Sequence, residues 1–377
     1  MPTKQPIDIH KSSDDEFKLD KFFRTAMKFQ ASDLHLKVGQ PPKLRIKGQL
    51  KSTTGEIMTR EAIEAMVFEI MDPEQKKLFV KSGAIDFARE IGSEERFRLN
   101  IFYQRGMISV SARRVDVNIP SLESLHLPSI LEKISNNNQG LVLLVGPTGC
   151  GKSTTAASMI NYINKTRPCH IVTIEDPIEH LFKDEKAIIS QREVGIDVEG
   201  FEQAMKFLMR QDPDVVFVGE MRDDKTVAAA LRAAETGHLV FGTMHSANSS
   251  QAVQRLLEMF PQNKRELARQ TLSLVIQAII SQVLLPSIKK DIDRIPAVEI
   301  LLGNPGVRKL ISEQREADLP CVIRSCREEG MLDFTASLCE LVKNEFVEPK
   351  EAYKYAPNAD ELVMALKGLK IASGGIL

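Results

Sequence analysis

Residues 141–154 read Leu141-Val142-Leu143-Leu144-Val145-Gly146-Pro147-Thr148-Gly149-Cys150-Gly151-Lys152-Ser153-Thr154. Five apolar residues run into a glycine-rich turn that ends in Gly151-Lys152-Ser153, the pattern G-x-x-x-x-G-K-[ST]. An unbroken apolar run of this length predicts a strand buried on both faces of a parallel sheet. The glycines let the backbone bend so that successive N–H groups face inward around an anion. A helical pattern from Lys152 to Asn164 aims its positive end at the same place. Together they predict a phosphate cradle made of Gly146, Pro147, Thr148, Gly149, Cys150, Gly151, Lys152, Ser153 and Thr154. Lys152 would meet the β- and γ-phosphates of ATP, and Ser153 would ligate Mg²⁺. A turn that serves only strand–helix packing is the plainer alternative, and the strand before and helix after it weigh against that.

Downstream, Ile171–Ile174, Val215–Val218 and Leu239–Thr243 are further apolar strands, with helical patterns between them such as Thr226–Glu235. Alternating strand and helix predicts an α/β fold, a parallel sheet with helices on both faces. In such a sheet the carboxyl ends of the strands share one edge with the phosphate cradle. Ile171-Val-Thr-Ile-Glu175-Asp176-Pro177 and Val215-Val-Phe-Val-Gly219-Glu220 both end in acids, so Glu175, Asp176 and Glu220 are expected to converge on the terminal phosphate. Gly219 stands where a metal-anchoring Asp is usual, which moves the Mg²⁺ role toward Glu220. Helix caps and solvated turns are the plainer reading of such acids, and Asp176 before a proline also suits turn initiation. His238 and His245 flank the strand Leu239–Thr243. Their spacing does not suit a two-histidine metal site; sensing of the γ-phosphate is the functional reading, a structural hydrogen bond the plain one. From about Gln262 onward the pattern reads as mainly helical.

Upstream, residues 1–16 are polar and predicted to be disordered, and residues 17–117 carry a mixed pattern. Helices are expected at Leu19–Phe29 and Glu61–Ile70, and strands at Leu34–Val38 and Leu44–Ile46. A hairpin is expected from Arg96–Phe102 and Met107–Val115 around Gln104-Arg105-Gly106. Residues 118–128, with two prolines, read as a linker between this domain and a nucleotide-binding domain over 129–355, followed by a tail at 356–377. Arg89, Arg96, Arg98, Arg105, Arg113 and Arg114 crowd one stretch. Any one of them reads as part of a solvated strand face. As a group they suggest a guanidinium lent to a neighbouring subunit, which can raise turnover by roughly 10³–10⁵.

Composition excludes several classes. Of 377 residues, 50 are Lys or Arg and 51 Asp or Glu, so no basic excess drives binding to nucleic acid. There is no Trp and only 6% aromatic residues, which leaves little for base stacking. No apolar run approaches the roughly 18–20 residues of a membrane span. The best stretch, Leu272–Leu285, is broken by Ser273, Gln277, Ser281 and Gln282. The N-terminus has no apolar signal-peptide core. Five cysteines at 150, 169, 321, 326 and 339 form no C-x-x-C pair, which argues against a disulfide framework or a structural zinc. Free thiols fit a reducing cytoplasm. Pairing or metal sharing by Cys321 and Cys326 is a minor alternative.

Taken in order, the motifs resemble those of the secretion ATPase superfamily, and among them the PilT/PilU retraction ATPases of type IV pili. Ala31-Ser-Asp-Leu-His-Leu-Lys-Val-Gly-Gln-Pro-Pro42 is similar to the family's opening, and Arg96-Phe-Arg-Leu-Asn100 with Gln104-Arg-Gly106 to its arginine-bearing hairpin. Ile174-Glu-Asp-Pro-Ile-Glu179 resembles the Asp box and Gly219-Glu-Met-Arg-Asp223 the atypical Walker B motif. Thr236-Gly-His238 with Thr243-Met-His245 resembles the His box, and Gln191-Arg-Glu-Val-Gly195 is also similar.

The resemblance implies a PAS-like α+β N-terminal domain followed by a RecA-like P-loop ATPase domain with a helical C-terminal part. It implies a homohexameric cytoplasmic motor, peripheral at the inner-membrane base of the pilus. Such a motor would act on the pilus platform protein, with a paralogous retraction ATPase as a possible partner, and would neither insert into the membrane nor bind nucleic acid. Glu175 would be the water-polarising base, Glu220 would serve Mg²⁺, and arginines at positions such as Arg98, Arg105 and Arg113 would act in trans. One departure stands out. The retraction members carry AIRNLIRE, whereas Gly306-Val-Arg308-Lys-Leu310-Ile311-Ser-Glu313 keeps only Arg308, Leu310, Ile311 and Glu313. That bears on retraction rather than on hydrolysis. The four-cysteine module of the assembly ATPases is missing. A regulatory subunit that binds ATP and hydrolyses little, or a DNA translocase on the same core, are the rival readings.

Overall fold

The computed structural model describes residues 17–46, 48–92, 95–115 and 117–368 and divides into two compact units, Met1–Val117 and Asn118–Leu377. The N-terminal segment expected to be disordered, 1–16, and residues 369–377 of the tail lie outside the described residues.

The first unit runs α1 (Asp20–Lys28), β1 (Asp33–Lys37), β2 (Lys43–Ile46), β3 (Gln49–Ser52), α2 (Arg60–Ile70), α3 (Pro73–Ser82), β4 (Ala84–Ile91), β5 (Glu95–Gln104) and β6 (Met107–Val115). Its sheet has the order β3-β2-β1-β6-β5-β4, with every neighbouring pair antiparallel. Strand alternation sorts the side chains. Leu34, Leu36, Phe97, Leu99, Ile101, Val110 and Ala112 enter one core with Phe23, Ile63, Val67 and Phe79 from the three helices. Phe23 stacks on Phe97 with ring centroids 4.6 Å apart. The alternate residues Asp33, His35, Arg98, Ser111 and Arg113 therefore lie on the other face. α3 carries a capping box at Asp72 and Gln75 and ends on left-handed Gly83. That helix, β3 and β4 have no counterpart among the predicted elements.

The second unit runs α4 (Ile130–Ser135), β7 (Gly140–Val145), α5 (Lys152–Thr166), β8 (His170–Glu175), β9 (Ile188–Glu193), α6 (Phe201–Leu208), β10 (Val215–Val218), α7 (Asp224–Glu235), β11 (Leu239–Met244), α8 (Ser249–Glu258) and α9 (Gln262–Val275). It continues with β12 (Ile276–Pro286), β13 (Arg294–Leu302), α10 (Pro305–Ser312), α11 (Leu319–Ser325), α12 (Phe334–Lys343), α13 (Pro349–Tyr355) and α14 (Ala359–Leu366). The sheet order is β13-β12-β7-β11-β10-β8-β9, parallel except for β13 against β12. Apolar runs on its strands feed two cores at once. Leu141, Leu143, Val172, Val216 and Val240 pack on the face covered by α6 to α11. Val142, Leu144, Ile171, Phe217 and Phe241 pack on the face of α4 and α5.

Two expectations are corrected. The chain from Gln262 onward is not mainly helical until Pro305, because β12 and β13 pair along Ala278–Pro286 and Arg294–Leu302. A short apolar run does not by itself distinguish a buried helix from a buried strand. Here the β-branched Ile276, Ile279, Ile280 and Val283 take the strand beside β7. The sheet is also mixed rather than wholly parallel. Within 118–128, Leu122 and Leu127 are buried in the core shared with α4, so that segment packs onto the second unit. Leu362 of α14 is likewise buried, against a cluster built on Phe334 and Leu338.

Candidate functional site

β7, β8, β10 and β11 run parallel, with Val218 in register with both Ile174 and Gly242, and Val145 with Met244. Gly146, Glu175, Glu220 and His245 consequently sit at one edge of the sheet, where ligands bind in open α/β folds. A cavity of about 350 Å³ there is lined by Lys152, Ser153, Glu175, Glu220, His245 and Arg294, among others.

The turn before α5 has the properties of an anion cradle. Gly151 caps α5 in the left-handed conformation (φ 90°) and no side chain caps the helix. Asp223, Asn248, Asn304 and Asp333, by contrast, cap α7, α8, α10 and α12 with their side chains. The first-turn N–H groups of α5 are left for an anion, at the positive end of the helix. β12 backs the turn closely. A Cβ on Gly146 would lie 2.4 Å from the Gln282 carbonyl oxygen, and one on Gly151 would lie 2.8 Å from Gln282 Nε2. Gln282 also braces the turn, since Nε2 donates to the Cys150 carbonyl (2.7 Å) and Oε1 accepts from Thr155 Oγ1 (2.8 Å). Lys152 Nζ donates to the carbonyls of Gly146 (2.9 Å) and Pro147 (3.0 Å).

The two carboxylates differ in kind. Glu175 is 7% exposed. Its Oε1 accepts from Thr173 Oγ1 at 2.7 Å and from Gln191 Nε2 at 3.2 Å. Burial pushes its pKa up to about 7, against the pull of those two bonds. Glu220 is held below the usual carboxylate range, first by the hydrogen bond from Arg222 Nη2 (2.5 Å), with the charges of Arg222, His245 and Lys152 adding. His245 Nε2 lies 3.3 Å from Glu220 Oε1. One carboxyl is thus poised to exchange a proton near neutrality and the other to stay ionised. The glycine at 219 also has a cause. Its Cβ would stand 3.1 Å from both Glu175 Cα and the Ile174 carbonyl oxygen. An Asp there would need the end of β8 to give by a few tenths of an ångström.

These residues fit a nucleotide, and Ser153 with Glu220 offers oxygen donors for Mg²⁺. Among the described residues no group of three His, Cys, Asp or Glu side chains could hold a metal alone. Any Mg²⁺ here would depend on phosphate oxygens and water for the rest of its shell.

His238 is not brought to this edge. It precedes β11 at the opposite end of the strand, about 20 Å away by strand rise, and its Nδ1 lies 2.9 Å from the Ala233 carbonyl oxygen. The candidate arginines stand on the first unit. Arg98 and Arg113 are cross-strand neighbours on β5 and β6. Arg105 sits at the hairpin tip, where it and Gly106 both have positive φ (52° and 74°), the pattern of a type I′ turn. Sequence reasoning did not find Thr173, Gln282 or Arg294. The signal for Gln282 was present, as a polar residue inside the apolar run Leu272–Leu285. The cysteines are free. Among the described residues no helix is long and apolar enough to cross a membrane.

Comparison with known proteins agrees with this geometry. The family description "Type II/IV secretion system protein" matches residues 12–353. The chain is 37% identical over 326 residues to the type IV pilus retraction ATPase PilT of Pseudomonas aeruginosa, covering 86% of this chain and 94% of that one. It is 36% identical over 348 residues to the type IV pilus ATPase PilU of the same organism, covering 92% and 91%. The crystal structure of the pilus retraction motor PilT with bound ADP is similar at a TM-score of 0.83 and 40% identity, over 92% of this chain and 99% of that one.

Proposed function

Since the chain belongs to the type II/IV secretion system family, an ATPase family, we propose that it is a hexameric motor whose ATP hydrolysis drives retraction of type IV pili at the inner membrane. The observation that carries this reading is the convergence of Lys152, Glu175, Glu220 and His245 on the uncapped start of α5. The likeness to PilT, a named retraction motor, supports the direction of the work.

In this reading Lys152 exchanges its two backbone carbonyls for phosphate oxygens. Ionised Glu175 takes a proton from the attacking water as the new O–P bond forms and the β–γ bridging bond breaks, leaving ADP and phosphate. Ser153 and Glu220 would hold Mg²⁺, which would supply positive charge to the phosphate oxygens. His245, against Glu220, senses whether the γ-phosphate is present. An arginine of the first unit, from Arg98, Arg105 and Arg113, is lent to a neighbouring subunit's nucleotide.

A PilU-like accessory role is the second reading. It is favoured by the near-equal identity to PilT and PilU and by the altered Gly306–Glu313 segment. Arg308, which that segment keeps, donates to the carbonyls of Gly303 (2.7 Å), Ile276 (2.8 Å) and Ser273 (3.2 Å), so it ties α10 to the end of α9. Ser312 replaces the second arginine of the motif.

Steady-state turnover of the purified chain tests the proposal. Lys152→Ala and Glu175→Ala should each abolish hydrolysis, the second while nucleotide binding persists. Undiminished hydrolysis in Glu175→Ala would reject the base. Turnover near zero for the wild-type hexamer, restored by a partner ATPase, would favour the accessory role. Deletion of the gene should leave cells with excess, non-retracting surface fibres.

A further inference from the structure

The Ala31-Ser-Asp-Leu-His-Leu36 stretch has no role in the mechanism so far, yet its aspartate is placed with care. Strand register sets Arg45, Asp33, Arg113 and Arg98 in one row across β2, β1, β6 and β5. Asp33 lies on the face away from the helices and is nevertheless only 5% exposed. Its Oδ1 accepts from Arg113 Nε at 2.8 Å and its Oδ2 from Ser32 Oγ at 2.8 Å, with Arg45 Nε 3.5 Å away. Burial alone would raise its pKa, but the bonds from Arg113 and Ser32 and the charges of Arg113 and Arg45 outweigh it and hold the group ionised.

Arg113 is held differently from its neighbours. Arg89 closes on Asp20 through Nε and Nη2 together (2.7 Å each) and Arg114 on Glu95 in the same forked way, with side chains only 18% and 19% exposed. Those guanidiniums are committed. Arg113 gives Asp33 its Nε, yet its side chain is 70% exposed. No carboxylate grips Arg98 beside it or Arg105 at the hairpin tip among the described residues, whereas Asp33 grips Arg113.

We infer that Asp33 is a positioning residue for Arg113: it grips Nε so that the two terminal amino groups are presented outward as a pre-oriented fork for a phosphate. This rests on the proposed lending of an arginine to a neighbouring subunit, and it selects Arg113 among the three candidates. The Arg45–Asp33–Arg113–Arg98 row keeps a net positive charge, as an anion receptor requires, while Asp33 removes the freedom that a long side chain would otherwise lose on contact.

A double-mutant cycle on the full-length ring, read as kcat and KM for ATP, tests the inference. Arg113→Ala should lower kcat by roughly 10³-fold or more. Asp33→Ala should lower it by roughly 10–100-fold through misplacement, with KM little changed. Asp33→Asn, whose Oδ1 still accepts from Nε, should recover most of the rate. Asp33→Ala/Arg113→Ala should be no slower than Arg113→Ala. Full activity in Asp33→Ala, or losses that multiply in the double variant, would overturn the positioning role. Full activity in Arg113→Ala would instead remove Arg113 from the lent-arginine reading. Should Asp33→Ala fail to fold, the asparagine variant decides alone: a kcat as low as that of Arg113→Ala counts against the inference.

Discussion

Within the first unit, helices cover one face of the six-stranded sheet, and the second face is built of charged and polar side chains. The seven-stranded sheet of the second unit is covered on both faces. The contrast is visible strand by strand: β5 alternates Phe97, Leu99 and Ile101 with Arg98 and Asn100, whereas β7 is buried at all six positions. A one-sided sheet can display a row of guanidiniums across its strands. A two-sided sheet has only its edges left for chemistry, and Glu175, Glu220 and His245 accordingly gather where the parallel strands end.

Three measurements would sharpen or break this comparison, beginning with the largest effect. Phe97→Ala removes a fully buried ring from the single core of the first unit and should destabilise that unit by about 3–5 kcal/mol. Followed by urea unfolding, the loss should fall on one transition and leave nucleotide binding by the second unit intact. A parallel loss of nucleotide affinity would show that the cores are not separate. Next, the buried Glu175 with its pKa of about 7 predicts turnover that falls roughly tenfold per pH unit below that value. A flat profile in the wild type would reject the base. Its folded pKa is raised above that of the unfolded chain. Protonated Glu175 therefore contributes stability at low pH that is lost as the pH rises through about 7. Smallest, Gln282→Ala leaves the Cys150 carbonyl unpaired behind the phosphate turn, at a cost of about 1–2 kcal/mol. Isothermal titration should show nucleotide binding weakened by up to roughly tenfold, and unchanged affinity would mean that β12 does not brace the turn.

Much of this was legible locally. The run Leu141–Val145 followed by Gly146–Ser153 identifies strand, cradle and helix, because those constraints act between residues a few positions apart. Glu175 and Glu220 follow from the rule that parallel strands share an edge. β12 and β13 lie where a mainly helical pattern is expected because both faces of these strands are buried, Ile279 and Leu301 in one core and Ile280 and Ile300 in the other, which erases the period that separates helix from strand. His238 and His245 flank β11, so of the two only His245 lines the cavity at the cradle edge.

From the sequence alone came the phosphate cradle, the acids at the strand ends and the alternation that makes one sheet one-sided, because each is written in short-range spacing. Only tertiary structure decided that Gln282 stands behind the turn 127 residues from Thr155, that the end of β8 passes close beside Gly219, and that Asp33 grips Arg113 across 80 residues. It also decided that burial raises the pKa of Glu175 to about 7. Proximity, desolvation and strand register arise when distant segments pack together, and no local pattern encodes them.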